Sequence, residues 1–242
     1  MAISIDTVYQ RVLALANKEQ RGYITPQEFN LFANQAQIEI FEQYFYDLNQ
    51  WSRQHGNDTE FSDMLSLLEE KISLFEVERN STWTNANMPV VGGYITVPSE
   101  VYRLGTVRIG SKQVEMLTSK EFDATRFSPL TAPTLNRPIG YLTSEGLTIA
   151  TGQSTFALPT TNPINVSYIK KPVEVEWGYF VINDKALYDS NASKTTHFEL
   201  HPSEVSELVY RILAYAGITL QKPKLTQIAA GMEGTKVQYE KQ

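Results

Sequence analysis

The sequence predicts an α+β protein whose N- and C-terminal helices pack together, with a β-sandwich or open-barrel-like unit inserted between them. Apolar residues recur at three- and four-residue steps over residues 5–75 and again over 205–216, the spacing of amphipathic helices. Residues 83–177 instead combine Thr, Ser, Pro, Gly and β-branched residues in short alternating runs, which is typical of strands. We therefore predict an N-terminal helical part, an inserted β-rich domain and a C-terminal helical part that packs on the first, with the bounds 1–80, 81–183 and 184–242.

The first helical part begins with a helical hairpin. Its three helices are predicted at 5–17, 26–48 and 60–75. Gly22 can end the first helix, because glycine adopts the left-handed conformation of a C-cap without strain. The run Thr25-Pro26-Gln27-Glu28 predicts a capping box, in which Thr25 is the N-cap and Glu28 reaches back to it. Together these signals predict a tight turn between the first two helices.

The β-rich domain is predicted from short runs that turn residues separate. The runs are Tyr94–Val97, Tyr102–Ile109, Gln113–Met116, Tyr141–Thr143, Leu147–Ala150, Ser154–Ala157, Ile164–Ile169 and Val173–Trp177. Many short strands at this spacing favour a β-sandwich or an open barrel. Residues Ser119–Pro138 contain three prolines and are predicted to form a long loop.

Helical spacing returns at the end of the chain. A helix is predicted to start in the run His201-Pro202-Ser203-Glu204 and to end at Gly217. A weaker helix is predicted at 225–239. The chain therefore runs from helices to strands and back to helices.

Composition excludes several classes of protein. The chain of 242 residues has no Cys, which excludes disulfides and thiolate metal sites and fits assembly in a reducing cytosol. We expect no signal peptide and no membrane span, because no apolar run approaches the roughly 20 residues that a bilayer requires. Residues 1–80 carry 6 Lys or Arg against 13 Asp or Glu, and no segment offers the basic face that nucleic-acid binding needs.

No constellation of catalytic residues is found in the sequence. The three histidines are His55, His197 and His201, and their spacing matches no metal site, so we expect surface or capping roles. A Gly-x-Ser-x-Gly motif and a glycine-rich phosphate loop are both absent. We therefore expect no enzyme activity, no cofactor and no metal.

Two helical motifs, together with the strand-rich middle, resemble virion proteins of short-tailed bacteriophages. The motifs are residues 17–30, which hold the predicted turn, and residues 198–218, which begin Phe-Glu-Leu-His-Pro-Ser-Glu. They are similar to the ring, or head-to-tail connector, proteins of crAss-like phages, and more distantly to the tail tubular adaptors of other podoviruses. The resemblance implies a virion structural protein that forms a ring, commonly a dodecamer, below the portal on the exit path of the genome.

The resemblance also implies partners and a location. The ring would bind its own copies, the portal protein and adjacent tail or ring proteins, and DNA would pass through the lumen without sequence-specific binding. It would be assembled in the host cytoplasm and reside in the virion, without a membrane partner. The candidate subunit-interface residues are Arg21, Tyr23, Phe41, Tyr44, Phe45, Tyr46, Trp51, Phe122 and Phe127.

Two alternatives from other classes stay open. The first is a tail-associated adhesin or carbohydrate-binding structural protein that uses the β-rich domain and its Ser119–Pro138 loop. The aromatic residues of that loop are Phe122 and Phe127. The second is a cell-wall hydrolase, for which the sequence assigns no carboxylate pair.

Overall fold

The structure, a computed structural model, has the α+β fold class that the sequence predicts. It describes residues 3–17, 24–53, 59–81, 90–91, 94–152, 164–183, 185–191, 193–219 and 231. The helices are α1 (Ile5–Asn17), α2 (Pro26–Arg53), α3 (Thr59–Ser73), α4 (Ser119–Phe127) and α5 (Val205–Thr219), with a short 3-10 helix at Pro202–Glu204. The strands are β1 (Glu76–Ser81), β2 (Val90–Val91), β3 (Tyr94–Ile95), β4 (Val101–Ile109), β5 (Lys112–Gln113), β6 (Glu115–Met116), β7 (Ile139–Leu142), β8 (Leu147–Ala150), β9 (Ile164–Lys170), β10 (Tyr179–Ile182) and β11 (Lys185–Tyr188).

The chain divides into two compact units. The helical unit consists of Met1–Leu74 and Pro172–Gln242, and the β unit consists of Phe75–Lys171. Both boundaries lie earlier in the chain than the predicted ones at 80/81 and 183/184. The first lies earlier because β1 pairs along β9 of the β unit. The second lies earlier because the segment that begins at Pro172 hydrogen-bonds to α2.

The helical unit is built from amphipathic helices. In α1, Ile5, Val8 and Val12 are fully buried, at steps of three and four residues. The helix α5 packs against both α1 and α2, so helices from the two ends of the chain share one core. The capping box of α2 is confirmed, since Glu28 Oε2 accepts the Thr25 N–H at 3.0 Å and Thr25 Oγ1 accepts the Glu28 N–H at 3.3 Å.

In the β unit, two sheets enclose one core. One sheet has the strand order β1-β9-β4-β5 and the other has the order β2-β3-β8-β7-β6. Pairing in both is antiparallel except between β6 and β7. The core takes residues from both sheets: Ile95, Val107, Ile109, Val114, Leu147, Ile149, Ile164, Val166 and Tyr168. A core shared in this way is the arrangement of a β-sandwich.

Several predicted elements differ in the structure. The loop predicted at Ser119–Pro138 is wrong in its first half, which is α4 and begins with a capping box between Thr118 and Glu121. The strand predicted at Val173–Trp177 is also wrong, because this extended segment belongs to no strand. Gly217 does not end the last helix, which continues past it.

Other elements are absent from the prediction or fall outside the structure. The strand β1 and the hairpin of β10 and β11 are not among the predicted strands. Three predicted features lie outside the described residues: Gly22 as a helix end, the strand at Ser154–Ala157 and the helix at 225–239. Of that helix, the structure describes residue 231. Their predictions stay predictions.

Candidate functional site

Three of the predicted interface residues are buried within their own unit. Phe41 and Tyr44 lie on the inner side of α2, and the Lys71 ammonium lies 5.6 Å from the centre of the Tyr44 ring. Phe122 is buried in the β unit, where its ring lies 4.4 Å from that of Tyr141. These three side chains therefore stabilise the folded chain and are not exposed to a second copy in this structure.

Other predicted interface residues keep the exposure that an interface needs. Tyr46 is 70% exposed and Phe127 is 67% exposed. Phe45 is half-buried, with its ring 5.1 Å from that of Phe41. Outside the described part of the chain lie the side chain of Trp51 and the residues Arg21 and Tyr23. That these residues form a subunit interface stays a prediction.

One face of α2 carries exposed apolar side chains. Leu31 is 70% exposed, Ile38 is 44% exposed and Tyr46 is 70% exposed. With the exposed Gln35 and Glu42, they fall on one side of the helix, because each step between them is three or four residues. We call these five residues the α2 outer stripe. Exposed apolar patches of this kind are typical of interaction sites.

A second exposed apolar surface lies on the hairpin of β10 and β11. Among the described strands, these two pair only with each other. The turn between them uses Asn183 at a φ of 49°, a left-handed conformation that Asn tolerates better than most residues. A lone hairpin is marginally stable in water, so it needs packing from elsewhere.

One face of the hairpin supplies that packing. The rings of Tyr179 and Tyr188, which are opposite each other in the ladder, lie 5.8 and 5.9 Å from the ring of Trp177. Trp177 is buried, and its Nε1–H donates to the Asp6 carboxylate at 3.0 Å. The ring of Tyr9 lies 4.2 Å from it on another side. The hairpin is thus anchored at its base to α1.

The opposite face of the hairpin is apolar and exposed. Side chains alternate between the two faces of a strand, so the cross-strand pairs Phe180–Leu187 and Ile182–Lys185 lie on the side away from Trp177. Phe180, Leu187 and Ile182 are 42%, 44% and 51% exposed. We call these four residues the hairpin outer face. It ends in a lysine at the tip of the hairpin.

Amide side chains on α2 fix the segment that leads into the hairpin. Asn34 binds the backbone of Val175 twice, with Oδ1 accepting the N–H at 2.8 Å and Nδ2 donating to the carbonyl at 2.9 Å. One turn earlier, Asn30 Oδ1 accepts the N–H of Trp177 at 2.9 Å. Gln37, about one turn beyond Asn34 on α2, holds the same segment by a further hydrogen bond. This amide ladder binds the extended segment in addition to the isolated antiparallel bridge that the segment forms with Thr196.

A charged network joins α2 to α5. The Arg211 guanidinium donates to Glu207 at 2.6 Å, to Glu39 at 3.4 Å and to Gln43. Burial opposes ionisation of Glu39, but hydrogen bonds from Tyr215 and Gln35 and the charge of Arg211 lower its pKa. Burial and the hydrogen bond to Glu39 raise the pKa of Tyr215 to about 12. The network therefore favours the charged form of Glu39 and ties both carboxylates to the arginine.

Within the part of the chain that the structure describes, no group of three or more His, Cys, Asp or Glu side chains is arranged to hold a metal ion. Two histidines accept backbone hydrogen bonds. His197 Nδ1 accepts the Ile5 N–H at 3.4 Å, and His201 Nδ1 accepts the Ser203 N–H at 3.3 Å at the start of the 3-10 helix. His55 lies outside the described residues. The described helices include none that is long and apolar enough to span a bilayer.

No protein-family model matches the chain, and no curated protein matches it in sequence. Any assignment of function therefore depends on the resemblance of the two helical motifs and on the surfaces described above.

Of the residues in the α2 outer stripe and the hairpin outer face, Tyr46 alone belongs to the interface predicted from sequence. A signal for the hairpin exists, since an apolar run from Tyr179 to Ile182 precedes Asn183-Asp184 and a second apolar run. The α2 outer stripe has no comparable signal. Apolar residues lie all around α2, and the sequence does not indicate which of its faces stays uncovered.

Proposed function

We propose that this chain is a virion structural protein of a tailed bacteriophage, which assembles into a ring of the head-to-tail connector below the portal. It acts by binding its own copies, the portal and neighbouring tail or ring proteins, with no catalytic turnover. The genome passes through the lumen of the ring. The proposal starts from the resemblance of residues 17–30 and 198–218 to connector proteins.

The observation that carries the proposal is the presence of two different exposed apolar surfaces on the helical unit. The α2 outer stripe and the hairpin outer face lie on separate elements and differ in shape. A chain with two different contact surfaces can bind its copies head to tail, and such contacts form a ring where the rotation between copies closes. A single self-complementary surface would favour a two-fold dimer instead.

The charge of the chain fits a conduit for DNA. Residues 1–80 carry 6 Lys or Arg against 13 Asp or Glu, a balance of −7. Among them Glu69 and Glu70 are exposed. A lumen with acidic walls repels the phosphate backbone, so DNA slides through without adhering. A protein with this role is assembled in the host cytoplasm and stays in the virion.

Purified phage particles provide the direct test. Mass spectrometry of the particles should find the chain in a fixed ratio to the portal protein, and a particle reconstruction should place it as a ring on the head-to-tail axis. Light scattering on the purified protein should find a concentration-dependent oligomer. Absence of the chain from the particles would contradict the proposal.

A second candidate function is a tail-associated adhesin that binds through the β unit. Its support is the end of α4 and the loop that follows, where Phe127, Leu130 and Leu135 are 67%, 94% and 58% exposed. Sugar binding normally combines an aromatic platform with hydrogen-bonding groups, and two of these three side chains are aliphatic. A glycan array tests this candidate. Binding that Phe127→Ala abolishes would favour it, and an array without hits would reject it.

A further inference from the structure

We infer that the hairpin outer face of one copy docks along the α2 outer stripe of the next copy, with Lys185 against Glu42. The inference rests on the proposed ring and names the contact that sets its register. Both surfaces are exposed and apolar, and both belong to the helical unit. Each carries one charged residue, and the two charges have opposite sign.

The spacing of the two surfaces matches. On the hairpin, the pairs Phe180–Leu187 and Ile182–Lys185 are two residues apart, which is about 7 Å along a strand. On α2, Ile38 and Glu42 are four residues apart, which is about 6 Å along a helix. With Phe180 and Leu187 over Ile38, Lys185 therefore comes level with Glu42.

Charge selects this alignment over others. Glu42 is the acidic member of the α2 outer stripe, whose other members are Leu31, Gln35, Ile38 and Tyr46. Lys185 is the basic member of the hairpin outer face. A hairpin that docked one helical turn earlier would place the ammonium beside Ile38 and leave both charges without a partner. Opposite charges set the register of an interface in this way more than they add to its affinity.

The position of the two surfaces within one copy is fixed by the amide ladder. Asn30 and Asn34 hold the segment before the hairpin on a face of α2 that is different from the outer stripe. Trp177 then anchors the hairpin through the rings of Tyr179 and Tyr188. A rigid relation between donor and acceptor surface gives every contact the same rotation, which a closed ring requires.

A charge-reversal cycle tests the contact. Lys185→Glu and Glu42→Lys should each raise the dissociation constant for self-association about tenfold, because attraction becomes repulsion. The double variant should restore the constant to within about twofold of the native value, because the pair is re-formed with the signs exchanged. Sedimentation velocity over a range of concentrations measures all four proteins.

Two further variants complete the design. Glu69→Lys adds the same charge at an exposed position of α3, so it should leave association unchanged. Ile38→Ser removes the apolar contact below Phe180 and Leu187 without altering charge, so it should weaken association in both the native and the double-reversed background. Circular dichroism of each variant confirms that the fold is retained, which is expected because all of these side chains are exposed.

The inference and the proposed function fail in different ways. Native protein that stays monomeric at all concentrations overturns the inference. So do single reversals without effect, and a double variant that does not restore association. The proposed function falls on a separate observation, the absence of the chain from phage particles. A ring in the particles combined with an unaffected reversal series would leave the function in place and reject this contact.

Discussion

In the helical unit, charged and amide side chains connect one element to the next, whereas in the β unit the two sheets meet through apolar side chains. Arg211 links α5 to α2, and the amides of Asn34 and Gln37 link α2 to an extended segment more than a hundred residues away in the chain. Lys71 of α3 forms an ion pair of 2.7 Å with the buried Glu204. The helical unit thus depends on groups whose charge and hydrogen bonding must match.

The β unit has no comparable set of polar contacts between its sheets, within the residues described. Its shared core is composed of aliphatic residues and Tyr168. The hydroxyl of Tyr168 donates to Glu100 at 2.5 Å, and Glu100 also pairs with Arg79 at 2.8 Å. Both charged partners are partly exposed, so this cluster lies at the margin of the core. Apolar packing of this kind is non-directional and nearly independent of pH.

The difference explains where an assembly surface is best placed. Polar contacts have narrow geometric requirements and specify one arrangement of elements, while apolar packing tolerates small shifts. The surfaces proposed for assembly lie on the helical unit, whose elements are fixed by such polar contacts. Three substitutions test whether the two units are stabilised as differently as their contacts indicate.

The largest effect is expected for Arg211→Met. Removal of the guanidinium leaves Glu207 and Glu39 without their cation in a largely buried site, which should cost about 4 kcal/mol. Hydrogen exchange followed by mass spectrometry should show lost protection in α2 and α5 and unchanged protection in β4 and β9. Arg137→Met is the matched control, because its ion pair with Glu115 is exposed and should contribute less than about 1 kcal/mol. Equal losses in both units would contradict the comparison.

Leu147→Ala should have the next largest effect, and in the other unit. Leu147 is fully buried in the core shared by the two sheets, so its truncation leaves a cavity that costs about 3 kcal/mol. Protection should fall in β3, β8 and β9 and persist in α5. Leu142→Ala removes the same group from a half-exposed position and should change stability by less than about 1 kcal/mol. A loss of protection confined to the helical unit would show that the units are misassigned.

Local signals predict much of the fold. The bounds of α1 and β8 agree with the predicted ones at 5–17 and Leu147–Ala150, and the capping box at Thr25 is present with both hydrogen bonds. The start of α4 carries the same signature, Thr118-Ser119-Lys120-Glu121, and Glu121 accepts the Thr118 N–H at 3.0 Å, as Glu28 does for Thr25. The prediction of a loop rests on the three prolines and does not use this signature. When a helix is predicted from sequence, a capping signature should therefore be given more weight than prolines that follow it.

Contacts between distant parts of the chain explain what the sequence does not predict. Val173–Trp177 has the alternation of a strand, but its partners are the amide ladder on α2 and an isolated bridge to Thr196, and no local pattern reveals either of them. Phe41 and Tyr44 lie in an aromatic-rich run that suggests an interface, yet both are buried within the unit. Leu31 and Ile38 stay exposed because no described element covers that side of α2. Which apolar residues stay outside depends on packing partners that periodicity cannot identify.

The smallest effect concerns the capping box of α2 and is visible as a pH dependence. The Thr25 N–H, followed by the Thr25 hydroxyl, lowers the pKa of Glu28 below its usual 4.5. A carboxylate with a lowered pKa in the folded state stabilises the fold above pH 4.5, and this contribution is lost as pH falls through the lowered value. Glu28→Gln should therefore cost about 1 kcal/mol at pH 7 and almost nothing at a second, acid pH below the lowered pKa, where the native side chain is itself neutral. Hydrogen exchange of the α2 amides at the two pH values measures the difference, and Glu69→Gln, an exposed glutamate of α3 outside any capping box, should show no such change with pH. An equal cost at both pH values would show that geometry, and not the charge of Glu28, makes the cap stabilising.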